Sequence, residues 1–372
     1  MPHPGEAAPA GHRPFTVAVL GAGPAGSVAA AQLARAGVAV ALVGRAESRP
    51  NVGECLPPGI RPLLERAGVW EELLGAGHLP AAGIRSYWGS AEPAERDFIF
   101  SPYGAGWHLD RDRFDAMLRH AATQRGACCV TCRGLRAAER TPRGGWRLAL
   151  GDAVIEAPFV IDATGRASAF ARRQGIGRLS LDRLTGVAGC FEIPAGGGEA
   201  EAVLLVEAVA DGWWYSAPLP ARRLAVVYMT DAALVRRDGS SQIARWRSRL
   251  AAAAETRRRV ETLGARLQGV LRVVAAGSSL LSRPAGEGWM AVGDAAAAFD
   301  PLSSQGLSAA VAGGLAAADV ALAWLGGERG ALEGYVERTR RDYAGYLAHR
   351  DAYYRAERRW ADSPFWAARR QP

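Results

Sequence analysis

The stretch Phe15 to Arg45, FTVAVLGAGPAGSVAAAQLARAGVAVALVGR, constrains the fold more than any other part of the chain. A β-branched apolar run (Val17, Val19, Leu20) stops at Gly21-Ala22-Gly23-Pro24-Ala25-Gly26. An alanine-rich amphipathic segment then runs to Ala36, and after Gly37 a second β-type run spans Val38 to Val43. The pattern predicts strand, turn, helix and strand, with G-x-G-x-x-G at the first strand-to-helix turn. Gly21 permits the tight turn, Gly23 lets backbone N–H groups approach a pyrophosphate, and Gly26 lets the helix sit close to the sheet. A dinucleotide's diphosphate then lies on the helix N-terminus, where unpaired N–H groups and the macrodipole favour negative charge. The acidic residue that ordinarily ends the second strand and holds the ribose is replaced by Gly44, followed by Arg45. Either Glu47 reaches the ribose or Arg45 lies over the adenine, and the sequence leaves both open.

Composition matters here chiefly for what it excludes. The chain contains no lysine, so all 45 basic residues are arginine. A Walker phosphate loop, a Schiff-base lysine and a lysine that relays an oxidised halide are therefore absent. The net charge of +8 raises nucleic acid or an anionic membrane as partners. The arginines, however, are scattered singly or in short clusters such as Arg257-Arg258-Arg259, without interleaved aromatics, and neither partner is expected. Ala309 to Gly327, the most apolar long stretch, is interrupted by Asp319 and four glycines, and reads as a buried helix pair or bent helix rather than a membrane span. The first fourteen residues lack the apolar core of a signal peptide, so a cytoplasmic location is expected. Cys129 and Cys132 form a lone C-x-x-C within a β-type run. All five cysteines read as free thiols, and no metal is expected.

Along the chain, a helical pattern is predicted from Ile60 to Leu74 and short aromatic strands from Ile84 to Phe100. A helix over Asp112 to Arg125 follows, with Asp110 as its N-cap. A buried strand, Phe159-Val-Ile-Asp162, runs into the small-residue turn Ala163-Thr164-Gly165, where a parallel strand delivers backbone to a nucleotide. Alternating runs between Gly186 and Thr230 predict an antiparallel sheet. Ile243 to Arg272 reads as largely helical, Trp289 to Asp294 as another buried strand, and Leu332 to about Arg358 as a final helix.

Three separated elements now align: GAGPAG at 21–26, DATG at 162–165 and GDAAAAFDPLSSQG at 293–306. Together they resemble the FAD-binding signature of the aromatic-hydroxylase superfamily, the glutathione-reductase-type flavoproteins that include flavin-dependent halogenases. The resemblance implies an α/β fold. A Rossmann-type FAD-binding domain would be formed from 15–80, 104–180 and 280–330, and an antiparallel substrate domain from 81–103 and 181–279. Residues 1–14 would be a flexible tail and 331–372 a C-terminal helical segment. It also implies that Asp294, after Gly293, binds the ribityl hydroxyls, and that the helix following Pro301, Gly306 and Leu307 points its N-terminus at the flavin pyrimidine ring. Arg111 would contact the cofactor, as would Gly44, Arg45, Glu54 and Cys55 in and after the second strand.

GECLPP, YWGS, GWHLDRDRFDAML, GWWYSAPLP and the tail DSPFW resemble the halogenase-like branch more narrowly. Within it, they are similar to flavoproteins that modify protein-bound tryptophan in tryptophylquinone biogenesis. Two departures argue against halogenation. Tyr215 and Ala217 stand where W-x-W-x-I-P would place Trp and Ile, and the halogenase lysine falls near Ala81. The expected reaction is FAD-dependent hydroxylation of an electron-rich aromatic, through a flavin C4a-hydroperoxide. The substrate is either a small aromatic or a tryptophan in a protein or peptide precursor, and the flavin is reduced by NAD(P)H or a partner flavin reductase. Glu54 and His108 are the candidate acid or base, and Trp88, Trp213 and Trp214 the candidate pocket aromatics. A prenyl-saturase-type reductase and an FAD-binding maturation chaperone are the rival readings.

Overall fold

The computed structural model describes residues 15–45, 54–151, 153–235 and 242–370, with backbone alone at Glu54. The first helix, Pro24–Arg35, crosses between Val17–Leu20 and Val40–Arg45, which pair in parallel with Val17 opposite Val40. These strands are buried on both faces, as parallel strands covered by crossover helices must be. They sit in a six-stranded sheet in the order Ala285–Gly286, Trp289–Ala291, Phe159–Asp162, Val17–Leu20, Val40–Arg45, Cys128–Cys132. Gly306–Leu325 packs against the first helix so closely that a Cβ on Gly314 would lie 2.5 Å from the Ala25 carbonyl oxygen. The stretch expected as two helices or a bent one is this single 20-residue helix. Among the described residues it alone is long and apolar enough to cross a membrane.

The second sheet has seven strands in the order Arg266–Ala275, Leu184–Glu192, Arg223–Asp231, Gly212–Leu219, Val203–Val209, Gly83–Tyr87, Ala94–Asp97. Side chains alternate between its faces. One face, carrying Trp214, Tyr228 and Val187, is closed by Trp246 and Val260 from the helices Gln242–Ala252 and Ala254–Thr262. The other carries Trp213, Val227 and Met229 and meets Tyr354, Phe365 and Trp366 of the C-terminal segment.

Ala331–Ala356 ties the two halves together. Near its start Tyr335 donates to the Ala291 carbonyl of the first sheet at 2.6 Å, and near its end Tyr354 packs under the second. Two predicted elements differ. The Ile60–Leu74 pattern is two short helices, Arg61–Ala67 and Trp70–Gly75, because Gly68 adopts φ +67° between them. The helical reading through Arg272 stops at Thr262, and Arg266–Ala275 is a strand because pairing with Leu184–Glu192 overrides the helix propensity of its Leu and Arg residues.

Candidate functional site

The glycine turn has the geometry a diphosphate requires. Gly21 has φ +109°, and a Cβ there would fall 2.1 Å from the Ala163 carbonyl oxygen; one on Gly26 would fall 1.9 Å from that of Gly21. Gly23 faces open space, with nothing within 4 Å of where its Cβ would be. Pro24 and Ala25 open a helix with no side-chain cap, so its first N–H groups point into that space. Gly44 lies against Ala22, and Arg45 ends the strand exposed. Glu47, the alternative ribose ligand, lies outside the described residues.

Ala163, Thr164 and Gly165 are held by a residue the sequence reading passed over. The buried Asp162 carboxylate accepts from Thr164 N–H (3.1 Å), Thr164 Oγ1 (2.6 Å), Phe170 N–H (2.9 Å) and Ala171 N–H (3.0 Å). Burial raises its pKa against those bonds. The next residue, Arg166, was also missed, though it directly follows DATG. Its Nε lies 3.4 Å from Asp294 Oδ2, and it donates to the Phe299 carbonyl at 3.0 Å. Asp294, after Gly293 (φ +56°), is closely surrounded by protein yet 37% exposed through the groove. Crowding raises its pKa while Arg166, Arg178 and Arg111 pull it down. Arg111 itself pairs with Asp115 at 3.2 Å, and Asp110 caps its helix by accepting from Arg113 N–H.

A cavity of about 270 Å³ joins this groove to the second sheet. Asp294, Pro301, Gly306, Leu307, Arg166 and Cys55 line one side, and Val206, Trp213, Tyr215, Val227 and Met229 the other. Gly306 begins its helix without a side-chain cap, and nothing lies within 4 Å of its Cβ position. Burial pushes the Cys55 thiol up to about 12, so it stays protonated at neutral pH. The open Gly23 cradle, the arginine-flanked Asp294 and the uncapped helix at Gly306 together fit FAD. The first would hold the diphosphate, the second the ribityl chain and the third the flavin ring.

Three candidates are corrected. Trp214 follows Trp213 in one strand and therefore faces the other way. It is fully buried, stacks on Tyr228 at 4.8 Å and belongs to the core beneath the helices. Trp88 stands behind the cavity wall, edge-on to Trp213 at 6.2 Å and Trp366 at 5.3 Å, and donates to the Tyr353 carbonyl. His108 is fully buried in Gly106–Leu109, and neither ring nitrogen has a hydrogen-bond partner among the described residues. It approaches the Ala202 carbonyl, which accepts from Ala82 N–H instead. Burial, with Arg259 nearby, drives its pKa down to about 4, and it does not line the cavity. Glu54 pairs through its backbone with Leu109; its side chain lies outside the described residues.

Behind the cavity runs a buried relay. Trp213 Nε1 donates to Tyr354 Oη at 3.2 Å, and Tyr354 donates to Asp300 Oδ2 at 2.7 Å. Asp300 also accepts from Leu302 N–H, and Arg350 Nε lies 3.6 Å from it.

The family profile described as tryptophan halogenase matches residues 90–372, and that of glucose inhibited division protein A matches 16–62. LodB of Marinomonas mediterranea, described as an FAD-dependent oxidoreductase, is 27% identical over 95% of this chain and 96% of its own. The myxobacterial chondrochloren halogenase CndH superposes with TM-score 0.86 at 25% identity, over 96% of this chain and 86% of that one. The peptidyl tryptophan dihydroxylase QhpG superposes with TM-score 0.75 at 25% identity, over 96% and 79%. Other relatives are mostly named as halogenases, and the chain spans 62% of the tryptophan 2-halogenase among them. A profile match over more than half the chain, on a fold whose dinucleotide groove meets an aromatic cavity, gives one assignment: the chain belongs to the tryptophan halogenase family and is an FAD-dependent oxidoreductase.

Proposed function

We propose that this enzyme hydroxylates an electron-rich aromatic, a tryptophan held in a polypeptide, and does not halogenate. The observation that carries the reading is the absence of any lysine from the chain, so no amine is available to capture or steer an oxidised halide. Ala81, where the resemblance places that lysine, is a fully buried alanine in Leu79–Ala81. Tyr215 and Ala217 replace two residues of the halogenase tryptophan motif, and Tyr215 is part of the cavity wall. The likeness to a peptidyl tryptophan dihydroxylase supports the substrate class.

Reduced FAD supplies oxygen activated from O2, with electrons from NAD(P)H or a partner flavin reductase. The chain's own residues bind and orient. Gly23 and the first helix would hold the diphosphate, and Arg166 and Asp294 the ribityl chain. The uncapped helix at Gly306 would stabilise negative charge on the flavin pyrimidine. Trp213, Tyr215, Val227 and Met229 would exclude water and enclose the substrate ring. Because the cofactor carries the difficult chemistry, the site needs no nucleophile and at most one acid or base.

The test supplies the FAD-loaded enzyme with NADH, a flavin reductase, a tryptophan-containing peptide and excess bromide. Oxygenated peptide with no brominated product is expected; brominated tryptophan as the main product would overturn the reading.

A further inference from the structure

The two edges of the seven-stranded sheet are built differently. Ala94–Asp97 forms one: four exposed residues, Ala94, Glu95, Arg96 and Asp97, short and charged as edges usually are when they must not pair with another chain. Arg266–Ala275 forms the other. It has ten residues, and no strand among the described residues covers its outer side. Val270, Val273 and Val274 are 77%, 53% and 38% exposed. A bulge opposite Gly189 interrupts its pairing with Leu184–Glu192, and beyond it Arg272 to Ala275 pair in regular register with Thr185 to Ala188.

That run is continuous with the cavity. Trp213 is opposite Met229, Met229 opposite Gly186, and Gly186 opposite Val274, so one cross-strand row leads from the cavity aromatic to the last strand of the sheet. Gly186 leaves the row open between its neighbours: a Cβ there would lie 3.0 Å from Val274 Cγ2 and 3.1 Å from Met229. Val274, Ala275 and Ala276 themselves line the cavity. An apolar run therefore leads from the cavity rim to a strand edge that no strand among the described residues covers.

We propose that the polypeptide substrate docks by adding a strand to Arg272–Ala275, with its tryptophan at the position opposite Val274. The proposal rests on the peptidyl-tryptophan reading above. Paired residues of neighbouring strands share a face, so a residue opposite Val274 lies on the cavity side, beyond Val274 in the row Trp213, Met229, Gly186, Val274. Backbone hydrogen bonds supply the affinity, and the register alone selects the residue presented, so the surrounding sequence is free to vary. The second face is fixed in the same way. Val273 is opposite Val187 in the row of Tyr228 and Trp214, away from the cavity.

The test measures binding of a fluorophore-labelled synthetic peptide, alternating Thr and Val around one Trp, to the full FAD-loaded chain. Two further versions carry N-methyl groups on one or the other alternating set of backbone amides. One set is expected to weaken binding by at least about tenfold and the other to leave it intact, because only alternate amides face the edge. Val273→Lys, off the cavity face, is expected to weaken binding about tenfold or more with the flavin spectrum unchanged. Ala94→Lys, at the opposite edge, is expected to have no effect. Equal binding of both N-methylated peptides, or full-strength binding to Val273→Lys, overturns the docking mode even where tryptophan is still oxidised. Amide-selective binding without any oxidation upholds the docking and sinks the hydroxylase reading instead. A wild-type dimer that Val273→Lys splits, with peptide affinity unchanged, assigns the edge to a second copy and also overturns the proposal.

Discussion

Tyr354 donates a 2.7 Å hydrogen bond to Asp300 while accepting one from Trp213, so a C-terminal helix side chain links the cavity wall to the turn before the helix Gly306–Leu325. All three residues are almost wholly buried, and burial raises Asp300's pKa against the bonds from Leu302 N–H and Tyr354. Tyr354→Phe leaves a buried indole N–H and a carboxylate oxygen each short of a partner. The expected loss is about 1–3 kcal/mol, read by chemical denaturation at neutral pH. A variant as stable as the parent contradicts the relay.

The glycine turn separates folding from cofactor binding. Gly23 faces open space, so Gly23→Val is expected to fold normally but put its side chain into the space proposed for the diphosphate, lowering FAD affinity by about tenfold or more. A Cβ at Gly26 would meet the Gly21 carbonyl at 1.9 Å, so Gly26→Val is expected to fail at folding. Circular dichroism with flavin fluorescence titration checks both. Tight FAD binding by Gly23→Val contradicts the assignment of the diphosphate.

His108 gives a pH signature. Its folded pKa, about 4, lies below the ordinary imidazole value of 6.5, so between these values the unfolded chain binds the extra proton. The stability contribution is therefore present above about pH 6.5 and lost as pH falls towards 4, to a total of about 3 kcal/mol. His108→Phe is expected to flatten the stability profile across that window without abolishing turnover, since His108 does not line the cavity. An unchanged slope contradicts a neutral buried imidazole.

Adjacent tryptophans divide structure from recognition. Trp214→Ala empties a closed core and is expected to cost about 3–5 kcal/mol, while any folded fraction still binds FAD. Trp213→Phe keeps most of the cavity wall and is expected to raise the KM for peptide more than it lowers the melting temperature. Thermal melts and steady-state kinetics on both variants check the division.

The sequence was most legible where chemistry demands special backbone. Gly21 and Gly26 were legible because a positive φ and a close backbone approach demand glycine, whereas the roles of the GD…DP…G segment were legible only through the family resemblance. What escaped depended on long-range partners. Alternation along Gly212–Leu219 requires Trp213 and Trp214 to face opposite ways, but only the packed helices decide which is core. His108 read as functional because a histidine beside Arg111 is chemically suggestive; its enclosure comes from strands far away in sequence. Asp162 and Arg166 sat beside a recognised motif and were passed over, since their partners at 170–171 and 294–299 are defined only by the fold. Arg266–Ala275 was misread because Leu and Arg favour helices until a neighbouring strand offers pairing.

The most direct test is oxygen incorporation: FAD-loaded enzyme, a reductase with NADH, and a tryptophan-containing peptide turned over under isotopically heavy O2 in ordinary water. The account predicts that the heavy label enters the indole of the peptide, one atom for each hydroxylation. Label drawn from water, or NADH consumed with no oxygen gained by the peptide, would contradict it.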